Sequence, residues 1–546
     1  MGYTTRNTNG LITSFMRDLE LPGRSPVHAP IGMAATSNPL STQVAIDVLK
    51  NGGNAMDAAV AACAVQCVVE PQSTGIGGDC FCLFSQEGAP EIVAFNGSGK
   101  APAAANVEWY QSHDIKSIDA RSPHAVTVPS AIDAWNQLVR DHGRRDLGEL
   151  LQPAIGYARD GYPIHSRVYS DFVQNESLLR AEQSTAAVFL PNNKIPVVGQ
   201  RHIQPALAKT LQKIAEGGRD AFYSGDVAGH LVEYLQSKGG LHTLSDFAAV
   251  QGNYVDAIST NFRDHTIFEC PPNGQGVIAL LLLNIMSGFT PDSANPITAD
   301  RLHLELEAAR LAYRSRTIYV GDPAFSDIPV EELLSEAFAD QLRGMINPHK
   351  ASEPPEDIHL PRHEDTVYIT VVDKDRNACS FINTLFMSFG SGLVEPETGV
   401  VLHNRGNGFV IDPSSPNCIA GGKRPLHTII PGMANKNDRL AMSFGVMGGQ
   451  YQAFGHMQFL TRLLDYGMDI QEAMDAPRTM VNPFTGEVEI ERNVPDSIKQ
   501  ELTARGHRVV PAKKPIGGSQ AISIDWQQNM LTGGSDPRKD GCVIGY

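Results

Sequence analysis

The spacing of apolar residues changes period along this chain. Residues 31–36 read as a short strand, and Ser37, Asn38 and Pro39 then open a helix over about 41–50, with Val44, Ala45, Val48 and Leu49 on one face. Gly52 and Gly53 end it. Asn54 is placed to cap a second helix through about Val69, whose Ala/Val composition predicts burial on all sides. Residues 80–85 and 92–96 read as two strands of a hairpin, and about 130–346 as mostly helical, with an apolar helix over 277–286 after the PPNGQG loop. Residues 347–365 hold four prolines, many charges and no periodicity, the signature of an exposed linker. Beyond it the period changes, and Thr366-Val-Tyr-Ile-Thr-Val-Val-Asp alternates in the manner of a strand. A turn cluster over 373–377 and a second β-rich run over 378–386 follow. A hairpin centred near Asp375 sets Thr366 opposite Thr384, with two hydroxyls side by side directly after the linker.

With 546 residues, 42% of them hydrophobic, the chain builds a large core. Its net charge of −16, without a basic tract, argues against nucleic acid and anionic membrane as partners. No apolar run reaches the roughly 18 residues of a spanning helix. The polar residues 1–22 contain no apolar signal core, and residues 1–30 read as a peripheral extension. The eight cysteines (63, 67, 80, 82, 270, 379, 418 and 542) read as core thiols of a reducing compartment, so the expected location is cytoplasmic. No metal and no cofactor are expected. His359 and His363 are four apart, but the prolines around them oppose a shared helix face. Rival catalytic motifs are weak. Gly517–Ala521 lacks the last glycine of GxSxG. His303-Leu-Glu305 does not match HExxH and reads as a structural surface. Gly75–Gly78 is a tight turn without phosphate-loop spacing.

A threonine hydroxyl needs a base before it can act as a nucleophile. Cutting Asp365–Thr366 would free an α-amino group that titrates near about 7.7–8.0, where a general base is most useful. The Thr366 hydroxyl is positioned to make that cut by attacking the Asp365 carbonyl, and Thr384 to orient it. The alternative is a threonine that merely opens an exposed strand. Met447–Gly448–Gly449–Gln450, after the apolar run 440–444, offers backbone N–H groups to a developing oxyanion, or is an ordinary strand-to-helix turn.

Six segments in order carry a resemblance: GMAATSNPLSTQVAIDVLKNGGNAMDAAVAA, EPQSTGIGGDCF, QPAIGYARDGYPI, DTVYITVVDKDRNA, KRPLHTIIPGM and GGSDPRKDG. They resemble the γ-glutamyltranspeptidase family of N-terminal nucleophile hydrolases over nearly the whole chain after about residue 30. The resemblance implies an α+β fold, a four-layer αββα sandwich made as one precursor. That precursor cuts itself before Thr366 into a large subunit, 31–365, and a small one, 366–546, which form a heterodimer, with a dimer of heterodimers as the alternative assembly. It maps Thr366 onto the nucleophile, Thr384 onto the assisting threonine, and Gly448 and Gly449 onto the oxyanion hole. The family's substrate pocket is altered. The carboxylate-binding arginine corresponds to Asn96, the asparagine two after Thr384 to Phe386, the amine-binding aspartate to Gly408, and the serine pair to His427 and Thr428. One charge-assisted bond is worth about 1.5–3 kcal/mol, so this pocket should hold glutamyl groups weakly. Arg405, in an NRG loop like that of the oxamate amidohydrolase branch, suits a carboxylate, unless it is a surface or structural arginine. The expected activity is hydrolysis of a small, carboxylate-bearing amide. The alternatives are a γ-glutamyl hydrolase or transferase with a rebuilt pocket, and an unprocessed, inactive binding protein.

Overall fold

The computed structural model describes residues 3–6, 12–16, 23–291, 295–353 and 366–546. Asp365, His359 and His363 lie outside the described residues, as does most of the expected linker.

Local rules explain the N-terminal helices. Asn38 caps helix Pro39–Lys50 by accepting from the Leu40 N–H at 3.0 Å. Asn54 and Asp57 form a reciprocal capping box on helix Ala55–Val69, whose residues are all buried. The expected hairpin register holds: Val367 faces Asn383 and Val372 faces Ala378.

Two seven-stranded sheets are stacked, and every strand pair in them is antiparallel. In spatial order one sheet runs Ile258–Phe262, His265–Glu269, Gly432–Asn435, Leu440–Met447, Gly518–Asp525, Met530–Ser535 and Val27–Ala29. The other runs Cys542–Gly545, Met33–Thr36, Val367–Val372, Ala378–Thr384, Asp79–Ser85, Val93–Gly97 and Asn253–Asp256. Each sheet mixes strands from before and after residue 366. Phe81, Leu83, Tyr368, Ile382, Met433, Met447 and Ile522 fill the space between them. Helices Pro39–Lys50, Ala55–Val69 and Ala131–His142 cover one outer face, on Ile369, Val371, Cys379 and Phe381. Helices Gly276–Ser287, Ala299–Tyr319 and Tyr451–Leu464 cover the other, on Ala434, Met442, Phe444 and Val446. The result is a four-layer αββα sandwich of α+β class.

Several expectations change. Val27–Ala29, read as part of the extension, is an edge strand paired with Leu531–Gly533. The largely helical middle contains strands Asn253–Asp256, Ile258–Phe262 and His265–Glu269. The first two are sheet edges with half-exposed, polar residues, so their alternation is faint in sequence. His303 and Glu305 are buried rather than on a surface. His303 bonds His507 at 2.7 Å, and Glu305 pairs with Arg301 at 2.8 Å, because helix Ala299–Tyr319 is covered on several sides. The eight cysteines are free, six of them buried, and Cys418 and Cys542 are partly exposed. Among the described residues, no helix is long and apolar enough to cross a membrane.

Candidate active site

Strand alternation gathers the site at one end of the gap between the sheets. Tyr368 and Thr370 face the other sheet: Thr370 Oγ donates to Ser443 Oγ at 2.8 Å, and the Tyr368 ring packs on Gly445. Continued by one two-residue step along both strands, this pairing directs Met447, and the Gly448–Gly449 turn after it, toward the Thr366 end of the gap. Thr366 is 1% exposed, which removes the reading of an exposed strand end. Its Oγ lies 3.2 Å from Thr384 Oγ. Thr384 Oγ also accepts the Phe386 N–H at 2.9 Å, which fixes the rotamer and leaves the Thr384 proton available to Thr366. Gly448 and Gly449 have φ of 118° and 54°, conformations that favour glycine, between strand Leu440–Met447 and helix Tyr451–Leu464.

Asp79 pairs with Thr384 across the neighbouring strands. Its buried carboxylate anchors one wall. Oδ1 accepts from the Gly99 N–H at 3.0 Å and from Ser130 Oγ at 3.1 Å. Oδ2 accepts from His427 Nε2 at 3.0 Å, with His403 Nδ1 at 3.4 Å and Arg405 Nε at 4.0 Å. Burial alone would raise this carboxyl, but His403 and His427 outweigh it and hold it well below the usual range. His427 Nδ1 accepts from the Ile429 N–H at 3.3 Å, which assigns the neutral tautomer with its proton on Nε2. Burial and the Arg405 charge push His427 down to about 3.

Arg405 is fully buried, not a surface residue. Its guanidinium stacks 3.6 Å from the centre of the Phe386 ring, and Nη1 donates to Thr428 Oγ at 3.0 Å. Among the described residues, Nε and Nη2 find no hydrogen-bond partner. Burial pushes its pKa down to about 9, against the pull of Asp79, so it remains charged at neutral pH. Phe386 itself adopts φ of 80°, a strained value for an aromatic residue. A narrow cavity of about 50 Å³ is lined by Phe386, Gly408, Thr428, Gln450, Phe484 and Arg316, among others.

The structure thus brings together Thr366, Thr384, Phe386, Arg405, His427, Thr428 and the Gly448–Gly449 turn. Asn96 stands apart. Its amide donates to Asn273 Oδ1 at 2.9 Å and its Oδ1 accepts the Ser98 N–H at 3.0 Å. Asn273 O in turn accepts the His427 N–H at 2.8 Å, so Asn96 braces the loop rather than facing the cavity. Sequence reading missed Asp79, His403, Gln275 and Arg316. Asp79 directly follows the Gly75–Gly78 turn and His403 precedes the NRG loop, so both had local signals. A single arginine on a helix gives none.

Two stacked antiparallel sheets between helical layers, with paired threonine hydroxyls at the start of an inner strand, define the N-terminal nucleophile class of amide hydrolases. The model of the gamma-glutamyltranspeptidase family matches residues 41–546, and the chain belongs to this family. It is 35% identical over 523 residues to the glutathione hydrolase-like YwrD proenzyme of Bacillus subtilis (strain 168), covering 94% of this chain and 98% of the relative. It is 32% identical over 531 residues to the oxamate amidohydrolase proenzyme of Klebsiella pneumoniae, covering 94% and 98%. The crystal structure of cephalosporin acylase from Bacillus halodurans superposes with a TM-score of 0.91 at 36% identity, covering 98% of this chain and 99% of that one. The chain is therefore a hydrolase of the amide-cleaving kind, akin to proteins made as proenzymes.

Proposed function

We propose that this protein cuts itself between Asp365 and Thr366, and that the new N-terminal threonine then hydrolyses the amide of a small, carboxylate-bearing acid. The large subunit is 31–365 and the small one 366–546. Because both sheets draw strands from both sides of residue 366, the two pieces stay interleaved as a heterodimer. The freed α-amine takes the proton from Thr366 Oγ, which attacks the substrate carbonyl. Thr384 donates a hydrogen bond to Thr366 Oγ and holds its rotamer. N–H groups at Gly448 and Gly449 receive the oxyanion. The amine leaves with a proton, and water then opens the ester on Thr366.

The carrying observation for the substrate is Arg405, a buried cation whose Nε, 4.0 Å from Asp79 Oδ2, and Nη2 find no hydrogen-bond acceptor among the described residues. A carboxylate matches that unfilled edge in charge and geometry. His427 and Thr428 shape the same wall, and Phe386 forms its apolar side. A γ-glutamyl reading is disfavoured because Gly408 offers no acid to an α-amino group. The test compares release of ammonia from oxamate with release of p-nitroaniline from the γ-glutamyl anilide. N-terminal sequencing of the smaller gel band accompanies it. Expected are a fragment beginning TVYIT, turnover of oxamate but little of the anilide, and loss of oxamate turnover in Arg405→Ala. A single full-length band without activity would overturn the whole reading. Anilide turnover without oxamate turnover would overturn the substrate class.

A further inference from the structure

Helix Ala299–Tyr319 carries Arg316 to the cavity wall shared with Phe386, Thr428 and Gln450. The residue is 2% exposed. Its Nη1 donates to Gln275 Oε1 at 2.6 Å and to the side-chain oxygen of Gln450. Among the described residues, Nε finds no hydrogen-bond partner and no carboxylate pairs with this guanidinium. Three other buried arginines are answered by carboxylates, Arg301 by Glu305 at 2.8 Å, Arg478 by Asp536 at 2.5 Å and Arg538 by Glu491 at 2.6 Å, while Arg462 is answered by the Pro477 carbonyl. Burying an ion without a counter-ion is costly. Burial pushes Arg316 down only to about 10, so the charge persists at neutral pH.

Its position ties that charge to the Gly448–Gly449 turn. The Gln275 amide held by Arg316 donates to Gly449 O at 3.1 Å and to Thr428 O at 2.8 Å, and Tyr313 donates to Gln450 O. Arg316 therefore stands on the cavity wall beside Gln450, the residue that directly follows the proposed oxyanion turn. Arg405 bonds the hydroxyl of the same Thr428 whose carbonyl Gln275 holds. Hydrolysis of an acid monoamide creates negative charge at the scissile carbon. Water supplies one oxygen, the C–N bond breaks, the amine departs with a proton, and a neutral amide becomes a second carboxylate.

We propose that Arg316 binds the charge that appears at the scissile carbon, first the oxyanion and then the new carboxylate. The pocket thereby holds the released dicarboxylic acid at both ends, the original carboxylate at Arg405 and the new one at Arg316. This rests on the acid-monoamide reading and adds that the product binds more tightly than any monoacid of its length, so the enzyme is inhibited by its own acid product.

Titration calorimetry of the processed protein tests this with oxalate against acetate, malonate against propionate, and succinate against butyrate. At the best-fitting length, the dicarboxylate should bind at least about tenfold more tightly than its monocarboxylate partner. Arg316→Gln should close that gap, Arg316→Lys should restore part of it, and Arg405→Ala should weaken both partners alike. Melting curves and the two-band gel establish that each variant is folded and processed. An unchanged gap in Arg316→Gln, a lysine variant no better than the glutamine one, or no dicarboxylate binding by the parent protein would overturn the inference. Oxamate hydrolysis with an indifferent gap removes this inference alone. A gap that responds to Arg316 without monoamide hydrolysis removes the amidase reading and leaves the anion site.

Discussion

The Oγ atoms of Thr366 and Thr384 lie 3.2 Å apart at the open end of one hairpin, and the Phe386 N–H locks the second of them in place. Self-cleavage and turnover are proposed to begin from that contact. Thr384→Val removes the hydroxyl and keeps the branched shape. Its expected effect is a roughly 10²-fold loss of kcat, at the low end of what a positioned proton-handling group contributes. Thr384→Ser keeps the hydroxyl and should retain most activity. Steady-state kinetics on processed protein, with the cleaved fraction read from a gel, decide it. Equal activity in the valine variant would remove Thr384 from the mechanism.

Arg405→Lys keeps a charge but loses the planar fork and the stacking on Phe386. A charge-assisted bond of about 1.5–3 kcal/mol is at stake, which converts to a KM for oxamate raised about 10- to 100-fold. The kcat should change far less, because this contact is made equally in ground and transition states. A fall in kcat at unchanged KM would place Arg405 outside the substrate site.

Buried neutral histidine makes the fold sensitive to acid. Burial, with the Arg405 charge, pushes His427 down to about 3, well under the ordinary value of about 6.5. Between those values the unfolded chain binds a proton that the folded one refuses, so stability rises with pH in that window and is lost on acidification. From pH 7.5 to 5 the loss from this residue is about 2 kcal/mol. In His427→Gln, whose amide still reaches Asp79, that share of the loss should vanish. Thermal melts of both proteins at the two pH values measure it, and equal falls in Tm would show that His427 does not carry the effect.

How much of this was legible in sequence depends on the range of the interaction. The hairpin register and the Thr366–Thr384 contact followed from one turn cluster between two β-rich runs, because a short turn fixes the pairing of its strands. The helix caps at Asn38 and Asn54 are equally local. Arg405, His427 and Phe386 were placed by family-like segments, and the fold brings them together. Asp79 was missed although it pairs with Thr384, because a carboxylate after a glycine turn looks like a surface residue until three basic groups close on it. Arg316 meets Gln450, just after the glycine turn, from 134 residues away, and Gln275 meets Gly449 from 174 away, which no spacing rule reports. The Asn96 position resembled a pocket residue by alignment of segments, yet its side chain is spent on Asn273.

Backbone packing beneath the site gives a final prediction. A Cβ on Gly78 would lie 2.1 Å from the Thr384 carbonyl oxygen, a clash with backbone that no rotamer change relieves. Gly78→Ala must therefore push Thr384 away from Thr366 or pry the two segments apart. Overpacking of this kind typically costs about 1–3 kcal/mol, and the displaced hydroxyl should slow turnover beyond what that loss of stability explains. Gly156, in helix Gln152–Asp160, has nothing within 4 Å of its added Cβ, so Gly156→Ala should leave activity alone and gain up to about 1 kcal/mol from helix propensity. Denaturant melts and kcat on both variants separate the two expectations. A Gly78→Ala protein with parental kcat would show that the 3.2 Å threonine contact tolerates backbone movement and does not set the rate.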